Sequence, residues 1–241
     1  AILLVAGGGI SSMSDNAQFR LGVDIGGTFT DVAMLAGDGT IFSNKLPSTP
    51  NDYSRGVAAG IREILDMNDV TADAVDALIH ATTVATNTVL EYRGALTGLV
   101  TTEGFRDVLE MRRLRIPVIY DLRYQKPPPL VPRRRRYEVS ERIDSAGNVI
   151  SPFSVADVEK VAKKLKNDAI ESVAICSLHA YANPEPEKRV AEVLSRILGP
   201  DVYISRSSEV LPEIREYERT STTVVNCYIG PIIGRYLRSL S

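Results

Sequence analysis

Asp24 to Asp31 read DIGGTFTD: an acid at the end of an apolar strand, two glycines, a hydroxyl cluster, and a second acid opening another strand. Gly26 and Gly27 lack Cβ atoms, so the backbone there can take positive φ and its amides can approach an anion, as phosphate-binding turns require. Thr28 and Thr30 offer hydroxyl donors to phosphate oxygens, and Phe29 sits between them on the same loop. The carboxylates of Asp24 and Asp31 repel phosphate, so their place beside such a turn implies an intervening Mg2+, held directly or through its waters. A tight Gly-Gly hairpin explains the glycines but not two acids and two threonines on one loop. A P-loop needs a lysine after the glycines and then a helix, and the dinucleotide fingerprint also opens a helix. Here a hairpin follows instead.

Working outward, FRLGVDI, DVAMLA and IFSNKL read as three meandering strands, with GDGT as the second turn. The segment NDYSRGVAAGIREILDM then places Val57, Ile61, Ile64 and Leu65 on one helical face, with Asn51 or Asp52 as the N-cap. A strand at ALIHAT, a helix from about Val84 to Glu91, a strand at ALTGLVTT and a helix opening at GFRDVLEM complete an α/β alternation. Between Arg112 and Ile150 five prolines and the run Arg133 to Arg136 replace periodic apolar positions, which reads as an excursion or linker. That basic run suits a solvated loop, a subunit contact or a polyanion. Past Ser151 the alternation resumes and closes on a long helix beginning near Pro212. The expected division is 1–18 as an extension outside the fold, with a start at Met13; 19–112 as a nucleotide-binding unit; 113–150 as the linker; and 151–241 as a second, smaller α/β unit.

With 44% hydrophobic and 24% charged residues over 241 positions, the chain can bury a core, and a formal charge of -2 gives no field that would favour nucleic acid. Cys176 and Cys227, each in an apolar stretch, read as buried reduced thiols of a cytoplasmic protein. No apolar run reaches the roughly 20 residues of a membrane helix. In HATTVATNTVLEYRGA, Thr82, Thr83, Thr86 and Asn87 follow a strand around a helix start, where hydroxyls and amides suit anion or amide recognition, or an N-cap alone. His80 reads as a core residue. Arg112 and Arg113 face an anion or end a solvated helix.

Strand, D-x-G-G-T, strand resembles the first phosphate motif of the actin, hexokinase and heat-shock-ATPase superfamily. Together with ATTVATNTVLEYRGALTGLVTTEGFRDVLEMRR, SLHAYANPEPE and LPEIREYERTSTTVVN, the segment RLGVDIGGTFTD is similar to the hydantoinase A and 5-oxoprolinase family over nearly all of the chain after about Phe19. The resemblance implies an actin-like, ribonuclease-H-like ATPase lobe with a mixed sheet flanked by helices. It implies ATP and Mg2+ as cofactors and ring opening of hydantoins, 5-oxoproline or lactams through phosphorylation of the amide oxygen; the alternatives are a subunit of an ATP-dependent ketone carboxylase of the acetone or acetophenone type, or a non-catalytic assembly subunit. On this reading Gly26, Gly27, Thr28, Phe29 and Thr30 hold phosphate, Asp24 and Asp31 hold metal or the attacking water, and Thr83, Thr86 and Asn87 lie near substrate or a lobe interface. The implied partners are a chain or region carrying the other ATPase lobe and a hydantoinase B-type subunit, with no nucleic acid and no membrane.

Overall fold

Period-two alternation shapes the first sheet. In Phe19–Ile25 (β2) and Phe29–Ala36 (β3), Leu21, Val23, Ile25, Val32 and Met34 are buried and the residues between them face outward. Ile41–Pro47 (β4) pairs antiparallel with β3, and Val75–Thr82 (β5) pairs parallel with β2. Ile2–Ala6 (β1), which the sequence reading set outside the fold, pairs antiparallel with the far side of β5. The computed structural model describes residues 2–6, 19–49, 53–113, 120–121 and 123–240. The N-cap expected at Asn51 or Asp52, the start at Met13, and Pro117 lie outside the described residues.

The strand order is β1-β5-β2-β3-β4. A three-strand meander, a crossover helix and a strand parallel to the first make the ribonuclease-H-like arrangement expected of an actin-type lobe. The helix is Tyr53–Met67 (α1), and it buries Gly56, Val57, Gly60, Ile64 and Leu65. Close approach explains its glycines: a Cβ on Gly60 would stand 2.6 Å from Leu46 Cδ1 and 2.7 Å from Val32 Cγ2. Val84–Leu90 (α2) follows β5, and residues from Ile232 onward at the end of the last helix, Glu216–Leu240, join the same core through Tyr236.

The chain divides into one unit of Ala1–Arg93 with Ile232–Ser241 and another of Gly94–Pro231. The break therefore falls at Gly94 rather than near Arg112, and the second unit is the longer. Thr97–Thr102 (β6) lies inside the second unit's sheet, between Arg136–Val139 (β7) and Ser172–Cys176 (β10), with Tyr203–Arg206 (β11) beyond β10. All four strands run parallel. Val155–Asn167 (α4) and Glu185–Leu198 (α5) cover the face of Val100, Val173 and Ile175, whereas Leu99, Ala174 and Cys176 face Leu109 of Val108–Met111 (α3) and Val224 and Cys227 of the last helix. Arg142–Ile143 (β8) and Val149–Ser151 (β9) form a separate hairpin, and Ser207–Val210 (α6) follows β11. We label Glu216–Leu240 α7.

From Arg133 onward the expected linker is structured. Arg136 is 3% exposed, with its guanidinium on the carbonyls of Val131 and Arg106 and on Glu110, and Arg133 grips Asp107 through two bonds of 2.8 and 2.9 Å. Both cysteines are free and buried, and burial pushes the Cys227 thiol up to about 12. Among the described residues no helix is long and apolar enough to cross a membrane.

Candidate functional site

The turn from β2 to β3 is closed by the Gly26 N–H, which donates to the Phe29 carbonyl at 2.9 Å. A strut from the end of β4 then holds it. Ser48 donates its N–H to the Thr28 carbonyl at 2.8 Å and its hydroxyl to the Gly26 carbonyl at 2.9 Å, and its Oγ lies 3.1 Å from Thr30 Oγ1. Neither Gly26 nor Gly27 takes positive φ. Tight space favours glycine here: a Cβ on Gly26 would lie 3.1 Å from the Phe29 carbonyl oxygen, and one on Gly27 would lie 3.0 Å from Asn87 Nδ2. Gly27 and Thr28 are exposed at the tip.

Alternation then sorts the motif's polar residues. Thr30 is 1% exposed and faces inward to Ser48, so its hydroxyl braces the turn instead of pointing at the tip's solvent side. Asp24 and Asp31 stand directly opposite each other across β2 and β3, both exposed. Like charges so placed repel by a few tenths to about 1 kcal/mol, which a shared cation relieves. Lys45, opposite Asp31 on β4, supplies one such charge: its Nζ donates to Asp31 Oδ1 at 2.7 Å and stands 5.2 Å from the centroid of the Phe29 ring. Both partners are more than half exposed, so the pair contributes at most about 1 kcal/mol. A cleft of about 730 Å3 opens on this face, lined by Gly22, Asp24, Asp31, Ser43, Lys45 and Ile79 among others.

Two carboxylates on one open face fit a Mg2+ ion that keeps waters and takes its other ligands from nucleotide phosphates. They do not fit an all-protein cage, since among the described residues no cluster of three or more His, Cys, Asp or Glu could hold a metal.

The second constellation packs against the first. Thr83 donates both its N–H and its hydroxyl to the Ile25 carbonyl, at 3.1 and 3.2 Å, and Asn87 Nδ2 donates to Thr83 Oγ1 at 3.3 Å. The hydroxyl of Thr83 therefore ties α2 to the strand before Gly26 and does not cap the helix. Thr82 is buried, its hydroxyl accepting from the Val84 N–H, and Thr86 is exposed. His80 is a core residue hydrogen-bonded to the Tyr236 hydroxyl, and burial lowers its pKa.

In the second unit, SLHAYANPEPE and the ERTST segment meet. Glu187, wholly buried, accepts from the Ser177 N–H at 2.8 Å, the Ser207 hydroxyl at 2.6 Å and the Ser208 N–H at 2.9 Å, and Arg219 donates to the Ser177 carbonyl at 2.9 Å. Arg113 pairs with Glu218 at 2.6 Å beside a cleft of about 260 Å3 that Arg112 also lines. Lys45 and Ser48 are the residues that motif reading missed. The GDGT hairpin held the signal for Lys45, because pairing β3 with β4 through that turn sets Lys45 against Asp31.

The family described as hydantoinase/oxoprolinase N-terminal region matches residues 20–198. The chain belongs to the hydantoinase/oxoprolinase family. It is 38% identical to caprolactamase subunit alpha of Pseudomonas jessenii, covering 92% of this chain and 33% of that protein. It is 33% identical to the acetophenone carboxylase gamma subunit of Aromatoleum aromaticum, covering 91% of this chain and 32% of the relative. The crystal structure of the ATP-dependent caprolactamase from Pseudomonas jessenii superimposes with a TM-score of 0.81 at 38% identity, over 91% of this chain and 32% of that one. This hydantoinase/oxoprolinase region thus spans about a third of the length of these relatives.

Proposed function

We propose that this chain is the N-terminal, nucleotide-handling region of an ATP-dependent enzyme that opens cyclic amides by phosphorylating the amide oxygen. One observation carries the reading: the strutted turn at Gly26, Gly27 and Thr28 stands beside a cross-strand pair of carboxylates on an open face. The backbone of Gly26 and Gly27 and the hydroxyl of Thr28 take phosphate oxygens. Asp24 and Asp31 hold Mg2+ directly or through its waters, and Mg2+ when bound neutralises phosphate charge. Phe29 carries the Lys45 ammonium over its ring, Thr30 keeps the turn in place, and Thr83 and Asn87 seat the helix against Gly27. Thr86 is exposed on that helix, which suits a role near substrate or a lobe interface.

Phosphoryl transfer asks a protein mainly for positioning and charge neutralisation, which amides, hydroxyls and two acids supply. The γ-phosphoryl group moves to the amide oxygen, water adds to the activated carbon, the C–N bond breaks with its nitrogen taking a proton, and a second water hydrolyses the acyl phosphate so formed to the free acid and phosphate. The products are ADP, phosphate and the ring-opened acid. The other lobe of the ATPase and a hydantoinase B-type partner complete the assembly, in the cytoplasm. Similarity to an acetophenone carboxylase subunit supports a second reading, in which the same activation acts on a ketone enolate with bicarbonate as co-substrate.

The test uses the full-length protein with its partner, following phosphate release with caprolactam, hydantoin, 5-oxoproline, and acetophenone plus bicarbonate. A ring-opened product formed one for one with ADP is expected, and Asp24→Ala should lower that turnover about a hundredfold or more with an unchanged thermal melt. Turnover with the ketone and bicarbonate alone sinks the amide reading, and near-normal turnover of the Asp24 variant sinks the site.

A further inference from the structure

Lys45 has the geometry of a working residue in that site. The β3–β4 register sets it opposite Asp31, on the face that also carries Asp24. Its ammonium donates to Asp31 Oδ1 at 2.7 Å, on the carboxylate that the preceding reading gives to the metal. Among the described residues no ion pair reaches Asp24, so one of the two opposed acids is neutralised and the other is not. The pair is more than half exposed at both ends, which makes it exchangeable, and the Phe29 ring 5.2 Å away offers the ammonium a second seat beside the turn. A lysine is suited to such a change of partner, being a compact charge on a flexible four-carbon stem.

We propose that Lys45 is a placeholder for the divalent cation: it holds Asp31 while the site is empty, yields that carboxylate to the metal, and turns its ammonium onto a phosphate oxygen of the nucleotide. Lys45 is thereby a positioning residue that couples metal arrival to phosphate binding. The inference rests on the nucleotide reading above.

The decisive measurement compares the wild-type full-length protein with Lys45→Met, titrating Mn2+ alone by electron paramagnetic resonance, and ATP with a chelator and Mn2+·ATP by calorimetry. Without the competing ammonium, Lys45→Met should bind Mn2+ alone about two- to fivefold more tightly. The same variant should bind ATP and Mn2+·ATP about tenfold more weakly, having lost a charged phosphate contact. Loss of a nearby positive charge without any change of partner would tighten Mn2+ in the presence and in the absence of ATP. The reversal of sign is therefore the signature. If both effects share a sign, or neither moves, Lys45 is not a placeholder while the nucleotide reading stands. A wild-type protein that binds neither Mn2+ nor ATP overturns the nucleotide reading and this proposal with it.

Discussion

Ser48→Ala and Thr30→Val separate a strut from a ligand. A hydroxyl has one proton, and Ser48 gives its own to the Gly26 carbonyl at 2.9 Å, so across the 3.1 Å contact between the two side chains Thr30 must be the donor. Ser48→Ala leaves that buried Thr30 hydroxyl without an acceptor, at about 1–3 kcal/mol, and removes one donor from a part-buried carbonyl, at about 0.5–1 kcal/mol. We expect a loss of about 2 kcal/mol. Thr30→Val removes the donor itself, keeps the shape and leaves the Ser48–Gly26 bond standing, for about 0.5 kcal/mol. The double variant leaves no hydroxyl unpaired, losing only the donor to the Gly26 carbonyl, and should cost about 1 kcal/mol, less than the singles together, a coupling of about 1.5 kcal/mol. Urea unfolding of the four proteins measures the cycle, and ATP titration of the same set reads the site. Because Thr30 faces the strut, Thr30→Val should keep ATP affinity within about twofold. Additive costs in the cycle refute the strut, and a Thr30→Val protein of normal stability that has lost ATP binding refutes the orientation argued for Thr30.

Two further outcomes follow from buried ionisable groups. Glu187→Ala orphans two backbone N–H groups and a hydroxyl and should cost about 4 kcal/mol, whereas Glu187→Gln keeps the acceptor shared by Ser177 and Ser207 and should cost about 2 kcal/mol; equal urea midpoints for the two variants would contradict the bonding pattern. Burial lowers the pKa of His80 in the folded state, so the unfolded chain binds more protons below about pH 6.5 and stability should fall as pH drops through that value. His80→Gln, which keeps a hydrogen-bonding group without the titration, should flatten the dependence of the urea midpoint between about pH 5 and 7.

What could be read from the sequence follows the range of the forces involved. The β2–β3 hairpin and α1 were legible because their apolar periods are local: Leu21, Val23 and Ile25 alternate, and Val57, Ile64 and Leu65 recur on one helical face. Strand β6 was legible as a strand, but all six of its residues are buried, and a uniformly buried strand carries no mark of which sheet it joins. That choice is made by β7 and β10 on either side of it, and so the unit boundary came out at Gly94 instead of Arg112. Arg136 sits in a run of four arginines that looks solvated, and only the carbonyls of Val131 and Arg106 with Glu110, brought in by the fold, make its burial tolerable.

The turn itself shows the same limit within eight residues. Composition put glycines, hydroxyls and acids on one loop, whereas Asp24 belongs to β2 and Thr30 and Asp31 to β3; it also treated the hydroxyls as equivalent and the glycines as a matter of φ. Strand alternation makes Thr28 and Thr30 unequal, and the tight space at Gly27 comes from Asn87, a residue 60 positions away in sequence whose amide nitrogen would stand 3.0 Å from a Cβ there. A motif thus names the chemistry that a turn can offer. Which of its atoms face outward is decided by the register of β2, β3 and β4, and that register delivers Lys45 to Asp31 as surely as it withdraws Thr30 from the tip.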